Sequence, residues 1–88
     1  MYSESIEVQN KTGLHARPAA VFVQTAAKFK SAITVEKASK QANAKSILSL
    51  LSIGASMGDI ISIKAEGEDE KQAVAALAEL IKSKFGEE

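Results

Sequence analysis

Apolar positions along this chain switch repeatedly between a spacing of two residues and a spacing of three or four. Residues 3–9 set Ile6 and Val8 against Ser5, Glu7 and Gln9. That period of two predicts a half-buried strand, closed by the loop Asn10-Lys11-Thr12-Gly13. Over 16–29, Ala19, Phe22, Val23, Ala26 and Phe29 form a helical stripe. Pro18 fits only a first turn, because it has no N–H and its ring clashes deeper in a helix. The helix therefore starts close to His15, within about two residues, since the position before proline (Arg17) is biased toward extended backbone.

Residues 32–37 alternate again through Ile33 and Val35, and Lys40 to Asn43 can pair back as a short strand. The intervening Ala38-Ser39 lacks the glycine or asparagine that favours a tight hairpin. Ser46 precedes the apolar run Ile47, Leu48, Leu50, Leu51 and Ile53, and Gly54 follows it. These are cap signals at both ends of a short helix. Asp59 to Glu66 form a strand with Ile61, Ile63 and Ala65 on one face, and Gly67 turns the chain. Asp69 and Gln72 have capping-box spacing, and Val74, Leu77, Ile81 and Phe85 make the buried stripe of a last helix. Asp69 and Glu70 at its start and Lys82 and Lys84 at its end complement the helix dipole. The order βαββαβα predicts an α/β open-faced sandwich: a four-stranded antiparallel sheet with three helices on one face.

Length and composition narrow the chemistry. The 88 residues make a single domain, 1–88, with 45% hydrophobic and 25% charged residues. Such a domain buries about 60–65% of its unfolded surface, so a functional site should be shallow. Eleven basic residues balance eleven acidic ones, which argues against direct nucleic-acid binding. The absence of cysteine excludes disulfides and zinc ribbons, and a lone histidine lacks the clustered ligands of a metal site. No secretory signal and no apolar stretch of membrane-spanning length is visible, so the expectation is a soluble cytoplasmic protein without membrane insertion.

One run, Gly13-Leu14-His15-Ala16-Arg17-Pro18-Ala19, holds the only histidine, the only arginine and the only proline. Neutral imidazole is a nucleophile near physiological pH. A helix N-terminus offers unpaired N–H groups and a positive dipole end to an anion. None of His15, Ala16 or Arg17 is a preferred cap, which leaves the N–H groups of Ala16 and Arg17 for a ligand. The Arg17 guanidinium adds a fork suited to phosphate oxygens. These parts fit a covalent phosphohistidine; the same residues taken singly also fit an ordinary helix start. Nothing here resembles a hydrolase, because no acid/base constellation is available to activate water.

The run resembles the active-site signature of HPr, the histidine-containing phosphocarrier family of the bacterial sugar phosphotransferase system. The likeness extends to Asn43-Ala44-Lys45-Ser46 before the middle helix, to Ala65-Glu66-Gly67 before the last one, and to the element order. It implies a relay rather than an enzyme, with no cofactor. His15 would accept a phosphoryl group at Nδ1 from phosphorylated Enzyme I and donate it to sugar-specific permease A domains, with Arg17 as its cationic partner. Ile47, Leu48 and Leu51 exceed what one buried face of a two-turn helix needs, and with Thr12, Ala16, Ala20 and Gln24 they match the family's docking region. Lys11, Lys28 and Lys45 could steer acidic partners. The resemblance further implies regulatory phosphorylation at Ser46 by an HPr kinase/phosphorylase, the modified form acting as corepressor of a catabolite-control transcription factor. Ser49 and Leu51 depart from the pattern usual in the branch that has this kinase. Alternatives left open are a purely regulatory module acting through the Ser46 surface and a carrier of the nitrogen-related branch.

Overall fold

The computed structural model describes residues 1–86. Four strands, β1 (Tyr2–Glu7), β2 (Ala32–Lys37), β3 (Lys40–Asn43) and β4 (Ile60–Glu66), alternate with three helices, α1 (Ala16–Ala26), α2 (Ile47–Ser52) and α3 (Glu70–Lys82). A 3-10 turn, Lys84–Gly86, follows. The sheet is antiparallel throughout, in the order β1-β4-β2-β3. Period-two burial puts Ile6 opposite Ile61, and Ile63 opposite Val35, all on the face that meets the helices. α3 lies against β1 and β4, α2 against β3, and α1 against both other helices. Phe22, Leu50, Ile53, Leu77 and Ile81 fill the layer between, all essentially fully buried. Each such side chain contributes about 1.5–3 kcal/mol by leaving water. The outer face of the sheet carries Ser5, Ser62, Lys64, Glu36 and Gln41 in polar contacts.

The expected sandwich is therefore present, and its departures have physical causes. β1 ends at Glu7, yet Val8 stays fully buried because its backbone bonds to the loop before β4: Val8 N–H to Asp59 O (2.8 Å) and Gly58 N–H to Val8 O (2.8 Å). α1 stops at Ala26 rather than running to 29, where Lys28 and Phe29 tighten into i→i−3 bonds. Phe29 still packs on the core, but from a turn. The Ala38-Ser39 hairpin forms without glycine, Ala38 taking φ 54. That strain, of order 1–2 kcal/mol, is opposed by the strand pairing around it. Phe85 leaves the α3 stripe: α3 ends at Lys82, and Phe85 sits half-buried at φ 56 in the 3-10 turn.

The capping box expected at Asp69 does not form. Asp69 is the N-cap by position, but its carboxylate makes no cap bond. It accepts instead from Ser31 Oγ (2.6 Å), Ser31 N–H (3.0 Å) and Lys30 N–H (2.9 Å), so it braces the α1–β2 connection. Gly67 permits this approach: a Cβ there would lie 2.7 Å from the Ser31 Cα. A contact 38 residues away outcompetes one three residues away, which no local pattern reports.

The Ser31 hydroxyl, and then the Lys30 N–H, hold the Asp69 carboxyl down from an ordinary 3.8 to about 2. A folded-state pKa below the unfolded one means stabilisation that is complete above about pH 4 and lost as pH falls toward 2. Asp69→Asn should lower Tm at pH 7, and thermal melts of parent and variant should converge as pH falls through that window. A constant gap down to pH 2 would rule out the carboxylate as the cause.

Candidate functional site

His15 reaches its position through a loop seated on another loop. Gly13 takes φ 63, and a Cβ there would collide with the Ala55 carbonyl oxygen and lie 2.9 Å from the Ser56 Cα. Leu14 is fully buried, and its N–H donates to Ala55 O at 3.0 Å. Asn10, also buried, braces the same turn: its Nδ2 donates to Gly13 O (2.8 Å) and Thr12 Oγ1 (3.3 Å), and its own O accepts from Gly13 N–H (3.1 Å). The chain then breaks outward at His15, which is exposed and extended at φ −130, ψ 160.

His15 is the N-cap of α1, yet its side chain makes no cap hydrogen bond, and no acidic residue stands in the first turn. The contrast with α2 is direct, where Ser46 Oγ accepts from Ser49 N–H at 3.3 Å. Ala16 begins α1 at φ 51, a left-handed conformation that costs an alanine about 1–2 kcal/mol. Arg17 lies within the helix despite preceding proline, and Pro18 is the buried third residue of the first turn, where no N–H is required. Arg17 is exposed and pairs with no acidic side chain among the described residues. It lines a cleft of about 270 Å³ with Pro18, Val21, Phe85 and Gly86. An imidazole at the surface, a helix start without a side-chain cap and a guanidinium two residues on can receive an anionic group without enclosing it. Among the described residues, no group of three His, Cys, Asp or Glu could hold a metal ion.

Ala16, Ala20 and Gln24 recur at helical spacing of four along α1, exposed except for the half-buried Ala20, and Thr12 is exposed on the loop before them. On the adjacent α2, Leu48 is 78% exposed, Ile47 38% and Leu51 36%, while Leu50 and Ile53 are core. An apolar patch open to water thus exists where the sequence predicted one. Lys11 and Lys28 are exposed, but Lys45 is half-buried and donates to Phe29 O at 2.8 Å. Lys45 is a brace between loops rather than a free steering charge. Sequence reasoning also missed Asn10, Ala55 and Ser56, which seat the His15 loop. Only Asn10 had a local signal, as a turn-former in the loop before Gly13.

Fold and site together define an open-faced sandwich that presents its one histidine at the surface, at the start of a helix. The sequence profile of the PTS HPr component phosphorylation site matches residues 2–83. The phosphocarrier protein HPr of Neisseria meningitidis serogroup A is 45% identical over 87 residues, covering 99% of this chain and 98% of that one. The HPr-like protein Crh of Bacillus subtilis is 49% identical over 78 residues, covering 89% and 92%. In the crystal structure of HPr-C-His from Thermoanaerobacter tengcongensis the TM-score is 0.98 at 59% identity, covering 100% and 99%. The chain belongs to the HPr phosphocarrier family of the phosphotransferase system.

If Gly13 is the seat of the His15 loop, Gly13→Ala must both strain φ and push against the Ala55–Ser56 backbone. The expected loss is roughly 2–4 kcal/mol in a urea titration. A change below about 0.5 kcal/mol would mean that the loop repacks without cost.

Proposed function

We propose that the whole chain, 1–88, acts as one phosphocarrier domain in the cytoplasm. His15 takes a phosphoryl group from phosphorylated Enzyme I and passes it to the A domains of sugar-specific permease components. In the first transfer an imidazole nitrogen attacks phosphorus, a new P–N bond forms, and the bond to the donor breaks. Reversal of those roles completes the relay. The observation that carries this reading is an exposed histidine at a helix N-terminus with no side-chain cap and with an exposed Arg17 two residues on, in a chain of the HPr family. The phosphoryl oxygens would meet the N–H groups of Ala16 and Arg17 and the Arg17 guanidinium. Thr12, Ala16, Ala20, Gln24, Ile47, Leu48 and Leu51 form the docking face for both partners.

Incubation with Enzyme I and phosphoenolpyruvate should label the protein at its single histidine, giving an acid-labile, base-stable phosphoramidate. His15→Ala should take up no label; uptake equal to the parent would place the acceptor elsewhere.

Ser46 is the proposed regulatory position, phosphorylated by an HPr kinase/phosphorylase, with the modified form binding a catabolite-control transcription factor. A phosphate at the α2 N-cap suits the helix dipole, so the fold should survive it. It would add about −1.5 to −2 charges next to exposed Ile47. The likeness to Crh, described as the Bacillus subtilis catabolite repression HPr, supports a second reading in which this chain is a regulatory module acting through the Ser46 surface; the presence of His15 favours the carrier. Ser46→Asp should weaken Enzyme I docking about tenfold in a titration at low salt. An unchanged dissociation constant would reject the charge argument.

A further inference from the structure

The segment between α2 and β4, residues 53–59, supports the His15 loop although it contains no helix or strand. Its backbone receives Leu14 N–H at Ala55 O (3.0 Å) and the close face of Gly13 at Ala55–Ser56. A support of this kind must itself be held, and two side chains hold it. Asp59 Oδ2 accepts from Ser56 N–H at 2.8 Å, closing the turn that Asp59 N–H to Ser56 O (3.0 Å) also defines. Lys37, arriving from the end of β2, places Nζ 3.0 Å from Asp59 Oδ2 and 3.0 Å from Gly54 O. The ammonium thus ties both ends of the segment, the α2 terminus and the turn before β4, to the sheet.

The pair is better placed than an ordinary surface bridge. Its side chains are 29% and 34% exposed, and the ammonium is shared by two acceptors fixed in different elements. Exposed pairs that must order two free side chains contribute little; here the acceptors belong to backbone and to a closed turn. The Ser56 N–H first, and then Lys37, keep the Asp59 carboxyl below the usual carboxylate range.

We propose that Lys37 and Asp59 are positioning residues for His15, acting through the 54–59 segment on Gly13 and Leu14. The proposal rests on His15 being the phosphoryl acceptor. Neither residue touches the imidazole. Their effect passes along a covalent and hydrogen-bonded chain: Lys37 to Asp59 and Gly54, thence to Ala55, to the Leu14 amide, and to the next residue, His15. Rigid support matters because transfer requires the nucleophile within a narrow range of angle and distance when the donor docks.

The test uses the full chain with Lys37→Met, Asp59→Asn and the conservative Lys37→Arg. Asp59→Asn retains an oxygen for Ser56 N–H and removes only the charge that holds Lys37. Hydrogen exchange should accelerate at the Leu14 amide about tenfold more than at Ile61 and Ile63 in the first two variants, and little in Lys37→Arg. With Enzyme I as donor, kcat should fall about three- to tenfold in the same two variants while KM stays within about twofold. Lys37→Arg should restore most of the rate. Equal acceleration at all three amides would overturn the proposal in favour of general stabilisation. Local loosening at Leu14 with an unchanged kcat would overturn it too, as a clamp without effect on His15. Failure of the parent protein to take label would instead sink the phosphocarrier reading, and the exchange comparison would still decide whether the clamp fixes the loop.

Discussion

The contact of Gly13 and Leu14 with the Ala55–Ser56 backbone fixes where the His15 loop stands, and most of the local structure follows from it. No side chain intervenes at Gly13, so the two loops meet backbone to backbone and Leu14 N–H finds Ala55 O. Burying the Leu14 side chain contributes about 1.5–3 kcal/mol. That is enough to offset the left-handed Ala16, at about 1–2 kcal/mol, that comes two residues later. The sharp turn at Ala16 lets an extended His15 lead directly into α1. A residue with a Cβ at position 13 would move the loop, and with it the point at which the helix begins.

Polar side chains elsewhere in the molecule serve the same purpose of joining segments distant in sequence. Asp69 fastens Lys30 and Ser31, Lys45 holds the Phe29 carbonyl, Asn10 closes on Gly13, and Lys37 reaches Gly54 and Asp59. In a domain this small the apolar core cannot restrain every loop, so hydrogen bonds to loop backbone take over that role. Against this background the α1 N-terminus is the exception. α2 has its serine cap, and the Asp69 carboxylate at the start of α3, which makes no cap bond either, is engaged by Ser31 and Lys30, whereas α1 starts with a histidine whose side chain makes no cap hydrogen bond. The difference falls at the one histidine of the chain.

The fold was legible because its core follows local periodicity. Ile61, Ile63 and Ala65, or Ala19, Phe22 and Ala26, are buried as their spacing requires. The site run and the serine cap of α2 were legible for similar reasons, since proline, glycine and serine carry local conformational meaning. What sequence could not supply is the choice between local and distant partners. Asp69 had a local partner at Gln72 and took Ser31; Lys45 was a candidate steering charge and became a brace. Phe85 continued a helical stripe by spacing, but α3 had ended three residues before it. Ala16 gave no sign of its left-handed backbone, because an alanine in that region is held there by its surroundings rather than by preference.

On the proposed reading, exposure of His15 also bears on how firmly a relay should hold its cargo. A charge-assisted hydrogen bond contributes about 1.5–3 kcal/mol, and about 1.4 kcal/mol shifts an equilibrium tenfold. A buried pocket with several such bonds would favour the phosphorylated form by many orders of magnitude and prevent onward transfer. One guanidinium and the free end of a helix, both in water, give a smaller and screened stabilisation. Precision must then come from the support beneath the histidine rather than from contacts to the phosphoryl group. That division keeps the supporting contacts of Gly13, Leu14 and Ala55 out of solvent and, on the proposed reading, leaves the reacting nitrogen open to two successive partners.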